Sequence, residues 1–153
     1  MSKDNSADLS SDACREVLRQ CGSFNLRKAS RVVTQLYDDI LQPTGLRSTQ
    51  VVVLLMLGAE HELSMARLAR QLVLSPSTLS RNILPLERDE LVETCYSGKR
   101  GKSVRLTARG RKALLHALPY WQKAQAKFTH LVGAGAWKEL SKHLATTVTA
   151  TRG

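Results

Sequence analysis

Apolar residues recur three and four positions apart at Leu26, Ala29, Val33, Leu36 and Ile40, with Arg27, Lys28, Arg31, Gln35 and Asp38 on the other faces. That period predicts one long amphipathic helix ending near QPTG. The next stretch, STQVVVLLMLG, has a valine-rich composition that a strand would accept. Its length, the cap candidate Ser48 and the terminal Gly58 favour a buried helix. LSMARLARQL then opens on a further cap candidate, Ser64, and turns Met65, Leu68, Ala69 and Leu72 inward. Only Val73 and Leu74 separate it from LSPSTLSRNI, where Ser75 supplies an N-cap oxygen and Pro76 a ring already set to helical φ. Two short helices joined so tightly form a helix-turn-helix.

The second of these helices is expected to run from Pro76 towards Leu91 with Leu79, Ile83 and Leu86 as its buried stripe. Pro85 removes a backbone donor inside it, so a kink or a break is expected there. The pattern then changes: Val92 to Tyr96 and Ser103 to Leu106 read as strands around the reversal SGKRGK. A hairpin with a cationic tip after a helix-turn-helix is a wing. Thr107 can cap the following helix, whose inward positions are Leu114, Leu118, Trp121, Phe128 and Val132, with a bend expected at Pro119. A last helix after GAGA shows Trp137, Leu140, Leu144 and Val148. The chain shows no internal repeat.

The 153 residues suit one domain, or one domain with an arm. Residues 1–12, rich in Ser, Asp and Asn, read as a disordered tail, 13–47 as the N-terminal helical segment, 48–112 as the winged helix-turn-helix and 113–153 as C-terminal helices. A formal charge of +10 points to an anionic partner. The segment from Ser64 to Lys112 holds eleven lysines and arginines against four acids, a balance of +7 within that total. No apolar run approaches the roughly 18 to 20 residues a bilayer span requires, and the polar, acidic N-terminus is unlike a leader; a cytoplasmic protein with no membrane partner is expected. Cys14, Cys21 and Cys95 are odd in number with no C-x-x-C pair, and the four histidines are scattered, so no disulfide framework, metal site or cofactor is indicated. No nucleophile with a base and no phosphate loop is visible, which argues against an enzyme.

The order of elements and the run LARQLVLSPSTLSRNILPLERDELV, together with VRLTARGRKAL and NLRKASRVVTQLYDDILQPTGLRSTQ, resemble the MarR family of winged-helix transcription regulators. The likeness runs from about residue 14 onward. It implies a mainly α fold with a small β-hairpin wing, and N- and C-terminal helices that build a two-fold homodimer on a pseudo-palindromic duplex. The apolar stripes of those helices also look too long for one small domain to bury. Family wings usually carry Asp-x-Arg, whereas the matching positions here are Gly98, Lys99 and Arg100. Without the orienting aspartate, Arg100 is either more mobile or held by charge rather than in a fixed pose.

Small hydroxyls on a first helical turn let the helix end approach base edges and phosphate closely. Ser77, Thr78 and Arg81 are therefore the groove candidates, with Arg81 able to grip guanine bidentately or clamp phosphate, Asn82 beside them, and Ser75 capping the same DNA-binding turn. Arg67 and Arg88 are expected on the sugar-phosphate chain. Arg100 suits the narrow minor groove, with Lys99 and Lys102 on flanking phosphates. Double-stranded DNA and a second copy of the chain are the expected partners, and the function expected is sequence-specific regulation, most simply repression. A nucleoid-type or RNA-binding protein is the competing class.

The resemblance further implies a small anionic aromatic effector in a cleft, for which Arg27, Arg31, Tyr37, Met56, His61 and Trp121 are the candidates. Each also reads as ordinary core or surface. A thiol switch is the rival trigger: alignment on ASR puts Ser23 where hydroperoxide-sensing relatives carry cysteine, with Cys21 two residues earlier. Cys14 and Cys21, seven apart on one helix, would be too distant to bridge within a chain.

Overall fold

The computed structural model describes residues 10–97 and 101–152. The chain divides between Gln35 and Leu36 into two units. In the first, α1 (Ser11–Gln20) starts where the Ser10 hydroxyl accepts from the Ala13 N–H at 3.1 Å, and it is laced on the surface by Arg15–Asp12 and Arg19–Glu16 pairs. Of the expected tail, Ser11 and Asp12 are thus helical and Ser10 is their cap, while residues 1–9 lie outside the described residues. Cys21 turns extended, and α2 (Gly22–Leu41) follows, crossing the boundary between the units. The Asn25 amide donates to the carbonyls of Arg19 and Cys21, both at 3.0 Å, and so satisfies acceptors that the end of α1 leaves open. Cys21 therefore stands outside the helix that holds Cys14, and the single-helix spacing inferred for the two thiols does not apply.

The second unit turns at a 3₁₀ segment, Gln42–Thr44, closed by Gly45 at φ 72°. Then come α3 (Ser48–Glu60), β1 (Glu62–Ser64), α4 (Met65–Leu72), α5 (Pro76–Arg88), β2 (Val92–Ser97), β3 (Gly101–Leu106), α6 (Ala108–Val132) and α7 (Ala134–Arg152). The valine-rich stretch is a helix, as its length argued, but Ser48 is its first residue rather than its cap. The Ser48 N–H donates to Asp38 at 2.7 Å, and the Arg47 N–H to the Gln50 side chain at 2.9 Å. Gly58 lies inside the helix, where an added Cβ would come 3.3 Å from Leu114 Cδ2. Both internal prolines are absorbed: α5 runs through Pro85 and α6 through Pro119. Packing of Leu79, Ile83 and Leu86 holds α5 together across the missing donor, and α5 stops at Arg88, short of Leu91. Within GAGA, Gly133 at φ 90° ends α6 and α7 already starts at Ala134.

The wing is part of a three-stranded antiparallel sheet in the order β1-β3-β2. β1 is too short to leave a periodic signal in the sequence; its Leu63 pairs with Val104, and both are buried. One core unites α3, α4, α5, the sheet and the first half of α6 through Leu54, Leu57, Leu63, Leu68, Leu79, Ile83, Leu86, Val104 and Leu114. Val132, expected inward on α6, is exposed, as are Leu140 and Val148 on α7. Among the described residues no single helix is long and apolar enough to cross a membrane.

The link between α4 and α5 carries local strain. Val73 sits at φ 55°, ψ 42°, left-handed geometry that costs a non-glycine residue roughly 1–2 kcal/mol, while its side chain is 54% exposed. Leu74 N–H donates to Ala69 C=O at 2.9 Å across it, so the conformation is imposed by the turn. Val73→Gly is expected to raise stability by about 1 kcal/mol, the relief of strain exceeding the added chain entropy. A urea midpoint that falls or stays put would show that Val73 is not strained.

Candidate nucleic-acid interface

α5 is placed by its buried stripe and opened by a hydroxyl cluster. Ser75 Oγ accepts from the Thr78 N–H at 3.2 Å and lies 3.1 Å from Ser77 Oγ and 2.8 Å from Thr78 Oγ1. The cap thus ties three hydroxyls into one network, and Ser77 remains exposed while Thr78 is half-buried. Arg81, one turn on, is exposed; its Nε–H donates to the Ser77 carbonyl at 3.4 Å, and among the described residues no carboxylate pairs with it. Its planar fork is therefore available to an outside acceptor.

The neighbouring cations are arranged differently. Arg67 is paired with Glu60 at 2.9 Å, and Arg88 lies 3.5 Å from Asp89; both pairs are solvated and cost little to open. Lys102 on β3 sits 5.9 Å from the centroid of the exposed Tyr96 ring across the hairpin. Arg105, three residues further along that strand, is held by the Glu93 carboxylate at 2.9 Å, a hydrogen bond that raises the pKa of its guanidinium. Gly98, Lys99 and Arg100, the rest of the expected wing tip, lie outside the described residues.

One feature has no counterpart in the sequence pattern: the start of α3 and the middle of α5 flank a hollow of about 250 Å³ lined by Arg47, Thr49, Gln50, Val53, Arg81, Asn82 and Pro85. Asn82 belongs to this hollow and is half-buried. Arg47 and Arg81 are thirty-four positions apart in the chain, so no local signal joins them. The expected effector residues are more scattered. Arg27 and Arg31 are exposed on α2 in the first unit. In the second, Tyr37 donates its hydroxyl to Gln125 Oε1 at 2.5 Å and packs beside Phe128, and burial raises its pKa. Met56 and Trp121 pack against the core, whereas His61 is exposed at the end of α3. Cys14, Cys21 and Cys95 are free and half-buried. Among the described residues no group of three or more His, Cys, Asp or Glu could hold a metal ion.

Comparison with family models gives no match, and comparison with curated proteins gives none. Solved structures do match. The transcriptional regulator MosR of M. tuberculosis is 34% identical, over 88% of this chain and 98% of that one, with a TM-score of 0.77. Its structure in complex with DNA matches at 34% identity over 87% and 97%, with a TM-score of 0.79. The transcriptional repressor CouR, bound to a 23-mer DNA duplex, shares the fold at 24% identity over 86% and 95% (TM-score 0.76). A MarR-family regulator from Rhodococcus sp. RHA1 does so at 21% over 84% and 96% (TM-score 0.72).

Proposed function

The chain belongs to the MarR family of transcriptional regulators, and on that premise we propose that it is a sequence-specific DNA-binding repressor acting as a homodimer on a pseudo-palindromic operator. The observation that carries this reading is the α5 face: a Ser75-capped helix start, exposed Ser77 and an Arg81 that no carboxylate pairs with among the described residues; the lysine- and arginine-rich SGKRGK sequence that follows supports it. Such a helix end supplies N–H groups for phosphate, and a bidentate donor for a base edge. MosR and CouR, both solved on DNA, favour the same use of the fold.

Dimer formation is supported by apolar side chains that each unit leaves in solvent. The first unit exposes Val17, Leu18, Phe24, Leu26 and Val32 and has no buried residue among those described; the second exposes Leu131, Val132, Leu140 and Val148. Two copies present two α5 helices, which is what an inverted repeat requires. A sedimentation measurement giving a single subunit would remove this arm of the proposal.

The trigger favoured is a small anionic aromatic compound. The hollow between Arg47 and Arg81 supports it, because an anion held there would draw Arg81 away from DNA, giving the two states different affinity for the ligand. The free thiols Cys14 and Cys21 keep a redox trigger as the competing reading.

Selection of duplexes from a random pool tests the main claim. One inverted repeat should be enriched, bound at least about a thousandfold more tightly than random duplex. Equal affinity for every duplex would make the chain a nucleoid-type protein instead. Lys102→Gln should weaken binding on all sequences alike and reduce the slope of log K against log salt by about 0.9 per lost phosphate contact. An unchanged slope would take this strand of the wing out of the interface.

A further inference from the structure

The solvent face of α5 holds a residue that neither charge nor capping explains. Leu84 is 59% exposed, although the other large apolar side chains of the helix, Leu79, Ile83 and Leu86, are buried. At 100° per residue, Ser77, Arg81, Leu84 and Arg88 fall within about 60° of arc, directly opposite that buried stripe. A lone exposed leucine needs no explanation on an ordinary surface. Here it interrupts a face otherwise made of a hydroxyl and two guanidinium groups.

We propose that Leu84 is a specificity-determining residue that packs against the 5-methyl group of a thymine in each half-site. The inference rests on the DNA-binding reading above. Leucine offers no hydrogen bond, so it gains in a groove only by removing an apolar group from water along with itself. The major-groove edges of the four base pairs carry one such group, the thymine methyl. Polar edges of a G·C pair opposite Leu84 would instead lose water without gaining a partner. Leu84 is three residues beyond Arg81, about 4.5 Å along the helix axis, which puts the thymine one to two base pairs from the pair that Arg81 grips. The cationic charge around it, with Arg81 and Arg88 on the same face, favours DNA over a second protein surface as the occupant.

The test uses the full chain and the duplex recovered from the random pool. Each thymine is replaced in turn by deoxyuridine, which removes the methyl and leaves every hydrogen-bonding group in place. One thymine per half-site should prove sensitive, the change weakening binding about fourfold, the worth of one buried methyl. Leu84→Ala should weaken binding to the unmodified duplex by a similar or larger factor and show no further loss on the deoxyuridine duplex. Its salt slope should match the parent chain, because no charge has changed. Alanine is a good helix former at an exposed site, so the fold is retained. The proposal is overturned if no thymine is sensitive, if the alanine variant discriminates as well as the parent, or if the variant instead loses its oligomeric state. An enriched duplex without thymine dependence would sink this inference alone, whereas failure to enrich any duplex would sink the DNA-binding reading with it.

Discussion

Gly110→Ala is expected to destabilise the protein by about 3 kcal/mol or more, lowering the thermal midpoint by roughly 10 °C. Gly110 lies in the first turn of α6, where its N–H donates to Thr107 Oγ1 at 2.9 Å. A Cβ at this position would stand 1.8 Å from the Leu91 carbonyl oxygen and 2.8 Å from its carbon. Neither contact is with a flexible side-chain end, so the backbone must move. The Leu91 carbonyl also accepts from the Thr107 N–H at 3.2 Å, and the Thr107 hydroxyl donates to Glu90 C=O at 2.6 Å. Glu90 is itself left-handed at φ 58°. Displacing Leu91 therefore breaks the cap of α6, the turn after α5 and the entry to β2 together. Gly58→Ala is the internal comparison: there the nearest atom is a Leu114 methyl at 3.3 Å, which a small rotation can move. Urea denaturation of the two variants should separate them clearly. A Gly110→Ala midpoint equal to that of Gly58→Ala would mean that the α6 start does not rest on Leu91.

Arg81→Ala should have the largest effect on function while leaving stability unchanged. A bidentate arginine contact with a base is worth about 1–3 kcal/mol, and a dimer loses it in both half-sites. Affinity for the selected duplex should then fall by a factor between about thirty and about twenty thousand, with preference relaxed at one base pair of each half-site. Binding to random duplex should fall far less, since only one charge per chain is removed. Arg81→Lys distinguishes charge from geometry: lysine restores the cation without the fork, so it should recover non-specific but not specific binding. The side chain is exposed and makes a single long hydrogen bond at 3.4 Å, so the urea midpoint should not move. Equal losses on every sequence would reject direct readout by Arg81.

Local patterns carried a large part of this molecule. Amphipathic periods located α2, α4 and α5, length marked α3 as a helix, and the cap residues Ser64, Ser75 and Thr107 each accept from the N–H three residues on, as their positions required. Caps and amphipathic periods are legible because they depend on residues one turn apart. The same local rule allowed a kink or a break at Pro85 and a bend at Pro119; neither helix breaks, because the burial of Leu79, Ile83 and Leu86 beside one, and of Leu114, Ala117 and Ala124 beside the other, outweighs one missing hydrogen bond. β1 was invisible because a three-residue strand has no period, and only pairing with β3 defines it.

The sequence by itself determined the order of the helices, the helix-turn-helix, the position of the wing and the hydroxyl-lined start of α5 with Arg81 behind it. All of these follow from side-chain chemistry and spacing within a turn or two. Tertiary structure alone decided that Gly110 must lack a side chain, that Arg47 and Arg81 share one hollow, and that Leu84 stays in solvent on the face that carries Arg81. Those facts depend on which distant segments approach one another, and packing, rather than local propensity, sets that distance.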